Sequence, residues 1–318
     1  MSRSRNWVPV PHPLPIKTFP NRLIRKWLYI AKNVVSLIGV RMGFLGARIV
    51  GTTPIGNTLL QLNKNYALGP KGTVLELPMD LVIFESVRKW GVWELDESKF
   101  LARGLKIACR NTPKVALLDI GANTGLVTLQ AMNLSNTLAE VFLFEPVPRH
   151  TSAIKKNLRN LSSIHVNEFG LSDKNGEANI FTEATNHGNT SLLNSLVSEI
   201  GMISTQIQLA ETTTYCNKFL KNFNRFVIKC DTQGMDALIL SRIPDWVWKN
   251  CESAIIEVWA LDEISKKDVE ALLSMCQEFE YVSWQPNNRK VKIGLSEVSE
   301  FWLSKSGASK NLFLSKNI

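Results

Sequence analysis

The stretch V-A-L-L-D-I-G-A-N-T-G, Val115 to Gly125, decides the fold. Val115, Leu117 and Leu118 make a short β-rich run of the kind buried in a parallel sheet. Asp119 interrupts the apolar run. Gly121 and Gly125 then allow a tight turn and a close backbone approach to a ligand, with no Cβ in the way. The next residues, LVTLQAMNL, are helical in character, so the loop joins a strand to a helix. In an open α/β sheet, that position at the carboxyl end of a strand is where nucleotide-like ligands bind.

The spacing narrows the ligand. A dinucleotide loop reads G-x-G-x-x-G, with the pyrophosphate on the helix N-terminus. This chain has Asn123 where the second glycine would stand, which speaks against a nicotinamide-dependent oxidoreductase. An acid ahead of the glycines suits a cationic ligand, and S-adenosyl-L-methionine is a sulfonium with an amino-acid tail. The plain alternative is a tight turn that binds nothing. A second acid favours the ligand: the apolar run EVFLFEPVP, Glu140 to Pro148, ends at Glu145, and prolines stop the strand. A carboxylate there, about 20 residues past the glycines, can accept both ribose hydroxyls of a nucleoside. A solvated acid at a strand end is the competing reading.

From Leu77 to Leu314 the chain resembles the FkbM family of S-adenosylmethionine-dependent methyltransferases. The resemblance rests on LLDIGANTG (Leu117 to Gly125), FEPVP (Phe144 to Pro148), GLSD (Gly170 to Asp173), IKCDTQGMDALIL (Ile228 to Leu240) and GVWE (Gly91 to Glu94). It implies a Rossmann-like fold and methylation of hydroxyls on sugars and natural products. It also implies that the aromatic-Glu step, Trp93 and Glu94, lies over the cofactor. The alternative for Trp93 is simple packing at a helix end. One piece departs from type. The family reads Lys-x-Asp-x-Glu-Gly-x-Glu, whereas this chain has Gln233 and Asp236 at the two Glu positions. Gln keeps an acceptor, gains donors and loses the charge.

The charge is unevenly distributed. Residues 1–75 hold 11 of the 37 Lys and Arg and no acid; taking 11 from 37 leaves 26 basic residues against all 28 acidic ones in 76–318. The core is near neutral and lacks the basic stripe that a nucleic-acid methyltransferase would carry beside its cleft. At 45% hydrophobic and 20% charged, the chain can bury a substantial core. The division expected is a basic extension over 1–75 and a methyltransferase domain over 76–318. Prolines 9, 11, 13, 15 and 20 favour extended chain. Beyond them, Leu23, Ile24, Trp27, Leu28, Ala31, Val34, Val35 and Ile38 share one helical face, and Arg22, Arg25, Lys26 and Lys32 the other. Such a helix suits either an anionic membrane surface or packing on the core or a partner. Only eight uncharged residues separate Lys32 from Arg41, far short of a span. Five cysteines without C-x-x-C spacing read as reduced thiols, hence a cytoplasmic location, peripheral to a membrane at most.

Along the core, helices are expected over 77–94, 97–109 and 149–160. Strands are expected at IHVNEFGLS (164–172), FVIKCD (226–231) and SAIIEVW (253–259), with a hairpin partner at NIFTE (179–183). YVSWQP and NLFLSK form a closing antiparallel pair at the far edge. The sum is a doubly wound, mostly parallel α/β sheet. Asp173 ends the third strand, where it could accept from an adenine amine or merely start the turn DKNG. His187 lies in the polar loop ATNHGNTS (184–191), which in the family covers the substrate side. Its imidazole could serve as a base or simply be solvated. Lys229 is a charge in an apolar strand and needs a partner such as Asp231 or Glu257.

Methyl transfer to a hydroxyl needs alignment and a proton acceptor. Asp231 is the first candidate for base or orienter and His187 the second. Asp231 could instead hold a divalent cation, but Gln233 lowers the local anion count and no metal is assigned. The acceptor expected is a saccharide, glycolipid or similar small molecule. The competing class is a donor-binding module without turnover, held at a membrane by its basic leader.

Overall fold

In the computed structural model the described residues are 65–68, 73–77, 83, 86, 92–110, 112–183, 190–191, 202–286 and 293–317. The helix expected over 77–94 falls largely outside them. The basic amphipathic helix and His187 fall wholly outside them. Strands β1 (Asn65–Leu68) and β2 (Thr73–Glu76) pair antiparallel. They belong to a unit comprising Met1–Trp93 and Ala184–Gly188; Glu94–Glu183 and Asn189–Ile318 make the second, larger unit.

The larger unit begins with α1 (Leu95–Ala108), β3 (Val115–Ile120), α2 (Leu126–Ser135), β4 (Glu140–Phe144), α3 (Pro148–Asn157) and β5 (Ile164–Asn167). Four strands follow: β6 (Gly170–Ser172), β7 (Gly176–Glu183), β8 (Thr190–Ser191) and β9 (Met202–Glu211). It then runs through α4 (Thr212–Phe219), β10 (Arg225–Cys230), α5 (Asp236–Leu240), α6 (Asp245–Lys249) and β11 (Cys251–Trp259). It closes with α7 (Lys266–Cys276), β12 (Tyr281–Ser283), α8 (Leu295–Trp302) and β13 (Ser309–Ser315).

The main sheet has the order β12-β13-β11-β10-β3-β4-β5. β13 runs antiparallel to both its neighbours, and the other pairs are parallel. Counted in order of appearance within this sheet, its strands stand 3-2-1-4-5-7-6. This is a doubly wound, mostly parallel arrangement, with a reversed last strand slotted inside the edge. The winding reverses between β3 and β10, so a crevice opens at their carboxyl ends. All six residues of β3 are buried, as a strand covered on both faces requires. Trp248, Trp302, Phe144, Phe226 and Phe313 are among the largest fully buried side chains of the core.

The expected third strand does not run through. It breaks at 168–169: β5 stays at the edge of the main sheet, while β6 joins β9, β7 and β8 in a separate four-stranded sheet. The break follows from two incompatible pairings. β5 is parallel to β4 through Val141↔Ile164, and β6 is parallel to β9 through Leu171↔Ala210. The ten-residue β9 was not foreseen. It pairs antiparallel along the whole of β7, of which only 179–183 was expected, as a short hairpin partner.

The turn after β3 positions the site. Gly121 and Ala122 donate backbone N–H groups to the Phe144 carbonyl at 3.0 and 3.1 Å, fixing the loop to the tip of β4. Gly121 has φ +75, and a Cβ there would lie 1.8 Å from the backbone oxygen of Asp231. Gly125 caps α2 at φ +71, and its Cβ would meet Leu158 Cδ1 at 2.4 Å. Both glycines thus answer first to the protein's own packing. Gly121→Ala forces a backbone apart in addition to the left-handed cost of roughly 1–2 kcal/mol. Gly125→Ala meets the end of a side chain. Urea unfolding is expected to show a loss of about 3 kcal/mol or more for Gly121→Ala and a smaller loss for Gly125→Ala; equal losses would contradict this packing.

Candidate active site

Two acids stand at neighbouring strand tips, and the structure binds both to the turn between them. Asp119, 1% exposed, accepts from the Thr128 hydroxyl at 2.6 Å through Oδ2. Its Oδ1 lies 3.6 Å from Lys229 Nζ, close enough for an ion pair but beyond hydrogen-bond length, so that buried oxygen has no hydrogen-bond donor. Glu145, 5% exposed, accepts from Asn123 N at 2.8 Å and Val147 N at 2.9 Å, one bond on each oxygen. His150 Nδ1 lies 3.4 Å from the same carboxylate. Asn123 adopts φ +50, which aims its N–H at Glu145 and leaves its own buried Oδ1 without a partner. Burial pulls the Arg149 guanidinium down to about 10, with Glu145 working against that shift.

These groups fit S-adenosylmethionine. Two buried acceptors, Asp119 Oδ1 and Asn123 Oδ1, lack donors of their own. Each Glu145 oxygen retains a lone pair beyond its one backbone bond. Asp119, Gly121, Asn123, Gly125 and Glu145 would hold the ligand.

The second half of the site is on β10 and β11. Lys229 is 5% exposed and reaches Asp231 Oδ2 at 3.3 Å, Asp119 at 3.6 Å and the Gly121 carbonyl at 3.5 Å. Burial alone would lower its ammonium. Asp231, Asp119 and Glu94 outweigh that and hold it above the usual range. Asp231 is anchored by its N–H to the Ile120 carbonyl at 2.9 Å. Burial pushes its carboxyl up, yet Lys229 and hydrogen bonds from Glu257 and Gln233 hold it below the usual range. Gln233 Nε2 donates to Asp231 Oδ1 at 3.1 Å and to Glu257 Oε2 at 2.9 Å. Burial, then the charge of Asp231, lifts Glu257 to about 10.

Glu94 caps α1 in a left-handed conformation, its carbonyl taking bonds from Ser98 N and Ser98 Oγ. Burial, then Asp231, raises its carboxyl to about 8. Asp119 is likewise raised by burial, against Lys229 and Thr128. The residue at the second departure, Asp236, accepts from Thr232 N at 3.1 Å and Gly234 N at 3.3 Å. It is therefore a turn-forming residue, and burial followed by Asp231 raises it to about 6.

Of the residues singled out from sequence, Glu94, Asp119 and Asp231 share one electrostatic group, while Glu145 joins the loop by hydrogen bonds. Asp173 does not end a strand of the main sheet. It is exposed in the turn after β6 of the smaller sheet, accepting from Ser172 Oγ at 3.1 Å, because the strand it was to end breaks before it. Gln233 and Glu257 enter the site although neither was named for it. Glu257 gave the same signal as Glu145, an acid near the end of an apolar strand run.

A comparison with curated protein sequences returned no match. Among solved structures, the chain is similar to a SAM-dependent methyltransferase from Agrobacterium tumefaciens at 10% identity, covering 80% of this chain and 71% of that one, with a TM-score of 0.40. It is similar to an O-methyltransferase from Bacillus cereus at 12% identity, covering 75% and 98%, with a TM-score of 0.36. For a precorrin-6y C5,15-methyltransferase from Geobacter metallireducens the values are 13% identity, 69% and 88% coverage, and a TM-score of 0.32. The profile of the methyltransferase FkbM domain matches residues 119–282, from the acid ahead of the glycine turn to the edge strand β12. The chain belongs to the FkbM family of S-adenosylmethionine-dependent methyltransferases.

Proposed function

We propose that this methyltransferase acts on a hydroxyl of a saccharide or similarly polyhydroxylated acceptor, with Asp231 taking the proton. One observation carries the reading. Buried Lys229 joins the buried donor-loop acid Asp119 to the partly exposed strand-tip acid Asp231, so a base stands directly beside the donor site. Bound there, S-adenosylmethionine supplies an electrophilic methyl group on a sulfonium. Asp119 and Glu145 bind and orient it, and the surrounding core excludes water. Asp231 stays ionised because Lys229, Gln233 and Glu257 favour its charged form, as a base within hydrogen-bond reach of a hydroxyl must be. Such a base is worth ~10²–10⁴-fold in rate.

The acceptor side is supported by an open cleft of about 520 Å³ that includes Glu97, Trp284, Gln285, Lys310 and Asn311 in its lining. Asn311 lies opposite Glu257 across β13 and β11, so the cleft adjoins the site. An aromatic face flanked by amides and carboxylates suits a ring bearing several hydroxyls. Trp284 is held by its indole N–H to Glu297 at 2.9 Å, with Lys310 lying over its ring. No helix among the described residues is long and apolar enough to cross a membrane. The basic amphipathic segment within residues 22–38, outside the described residues, supplies the reading of attachment to an anionic surface.

Calorimetry checks the donor half. The double variant Asp119→Asn, Glu145→Gln is expected to bind S-adenosylmethionine at least ~100-fold more weakly, since each charge-assisted contact is worth roughly 1.5–3 kcal/mol. Unchanged affinity would sink the reading, as would methyl transfer to glycans surviving intact in Asp231→Asn.

The raised acids also set a pH dependence of stability. Glu94 and Glu257 hold protons in the native state that the unfolded chain releases above about pH 4.5. The native state then binds more protons, so stability falls as pH rises towards about 8 for Glu94 and about 10 for Glu257. Each group contributes at most ~1.4 kcal/mol per pH unit. Asp231, held low, contributes in the opposite sense, and its share is lost only in acid. The urea midpoint is expected to drop between pH 6 and pH 9, and to drop less in Glu94→Gln. A flat profile for the native sequence would contradict the burial of these acids.

A further inference from the structure

β10 and β11 are adjacent and parallel, with Cys230 opposite Ile256, so the next residues, Asp231 and Glu257, come side by side at the carboxyl tips. Gln233 reaches both from the turn, its one amide nitrogen lying 3.1 Å from an Asp231 oxygen and 2.9 Å from a Glu257 oxygen. Gln233 itself sits at φ +53 and Gly234 at φ +99, a turn conformation that aims the amide inward at the expense of backbone strain. Both carboxyls are thus within reach of one neutral amide nitrogen. Two carboxylates that share a site repel each other, and a proton on one of them relieves the repulsion. The nearby ammonium, Lys229, is spent on Asp119 and Asp231. The Gln233 amide adds donors but no charge.

We propose that Asp231 and Glu257, joined through the Gln233 amide, act as one proton-sharing pair that takes the acceptor's proton, with Glu257 a positioning residue. This rests on the reading of Asp231 as base. The pair enters the reaction with one proton, held by Glu257, and one negative charge, on Asp231. The acceptor O–H bond breaks as its oxygen forms the new O–CH3 bond, the donor's C–S electron pair stays on sulfur, and the proton passes to Asp231. Sulfur loses its positive charge in the step in which the pair loses its negative one. The buried site therefore keeps its net charge throughout, and no ion has to be brought in or expelled.

The charged and titratable groups facing the pair are Lys229 on β10, Asp119 on β3, Asp236 on α5 and Glu94 at the head of α1. Burial and the neighbouring carboxylate favour the protonated form of Glu257.

The inference predicts proton linkage that can be read without knowing the acceptor. The cationic donor favours the ionised pair, whereas its demethylated product, neutral at sulfur, favours the pair with an extra proton. Raising the pH should strengthen S-adenosylmethionine relative to S-adenosylhomocysteine. Calorimetric affinities for both ligands, measured on the full chain from pH 6.5 to 8.5, give that ratio. The ligands' own amino groups titrate alike against every variant, so the readout is the slope in the native chain compared with Glu257→Gln. The native slope is expected to exceed the variant's, by up to ~10-fold per pH unit. Gln233→Met, which removes the clamp and leaves both acids, should flatten it as well. Equal slopes in the native chain, Glu257→Gln and Gln233→Met would overturn the inference while leaving the donor-site reading intact. Failure of the native chain to bind the donor would overturn both.

Discussion

Charge without water organises this protein. At the tips of β3, β10 and β11, Asp119, Asp231 and Glu257 crowd into a region with little solvent, and within that group Lys229 is the sole cation among the described residues. An isolated carboxylate in such surroundings is too costly to retain, so each acid must find a donor, share the ammonium or keep its proton. The structure uses all three solutions. Asp119 has Thr128 and the edge of Lys229, Asp231 has Lys229 and Gln233, and Glu257 keeps its proton. What remains is a site with a slight excess of negative charge and unsatisfied acceptors, which is the complement of a cationic nucleoside.

Much of this is legible in the sequence because burial writes itself into composition. Runs such as VALLDI and SAIIEVW are apolar throughout since both faces of a parallel strand are covered, and each charge inside or at the end of one marks the site. Asp119, Glu145 and Asp231 were singled out that way. Glu257 was equally marked but was read only as a partner for Lys229. The smaller sheet was missed for a physical reason. IHVNEFGLS carries a continuous strand pattern, and only the pairing of its two halves with different partners, β4 and β9, breaks it. Pairing is a property of the folded chain, so the break between Asn167 and Gly170 had no local signal.

The two departures from the family pattern turn out to differ in kind. Asp236 faces back into its own turn, where its short side chain takes the Thr232 and Gly234 amides, a duty that needs an acceptor near the helix start and no particular chemistry. Gln233 touches two acids from different strands. An acid in its place would add a negative charge beside Asp231 and Glu257, where burial already favours the protonated form of Glu257. The amide provides the same reach with donors in place of charge.

The near-contact of Gly121 with the Asp231 carbonyl has a mechanical consequence. The turns after β3 and β10 are pressed together at backbone distance, so no side chain can tune their spacing. If Asp231 is the base proposed above, the distance from donor loop to base is set by backbone packing, and a change of acceptor has to be accommodated elsewhere, as in the proposed Trp284 cleft.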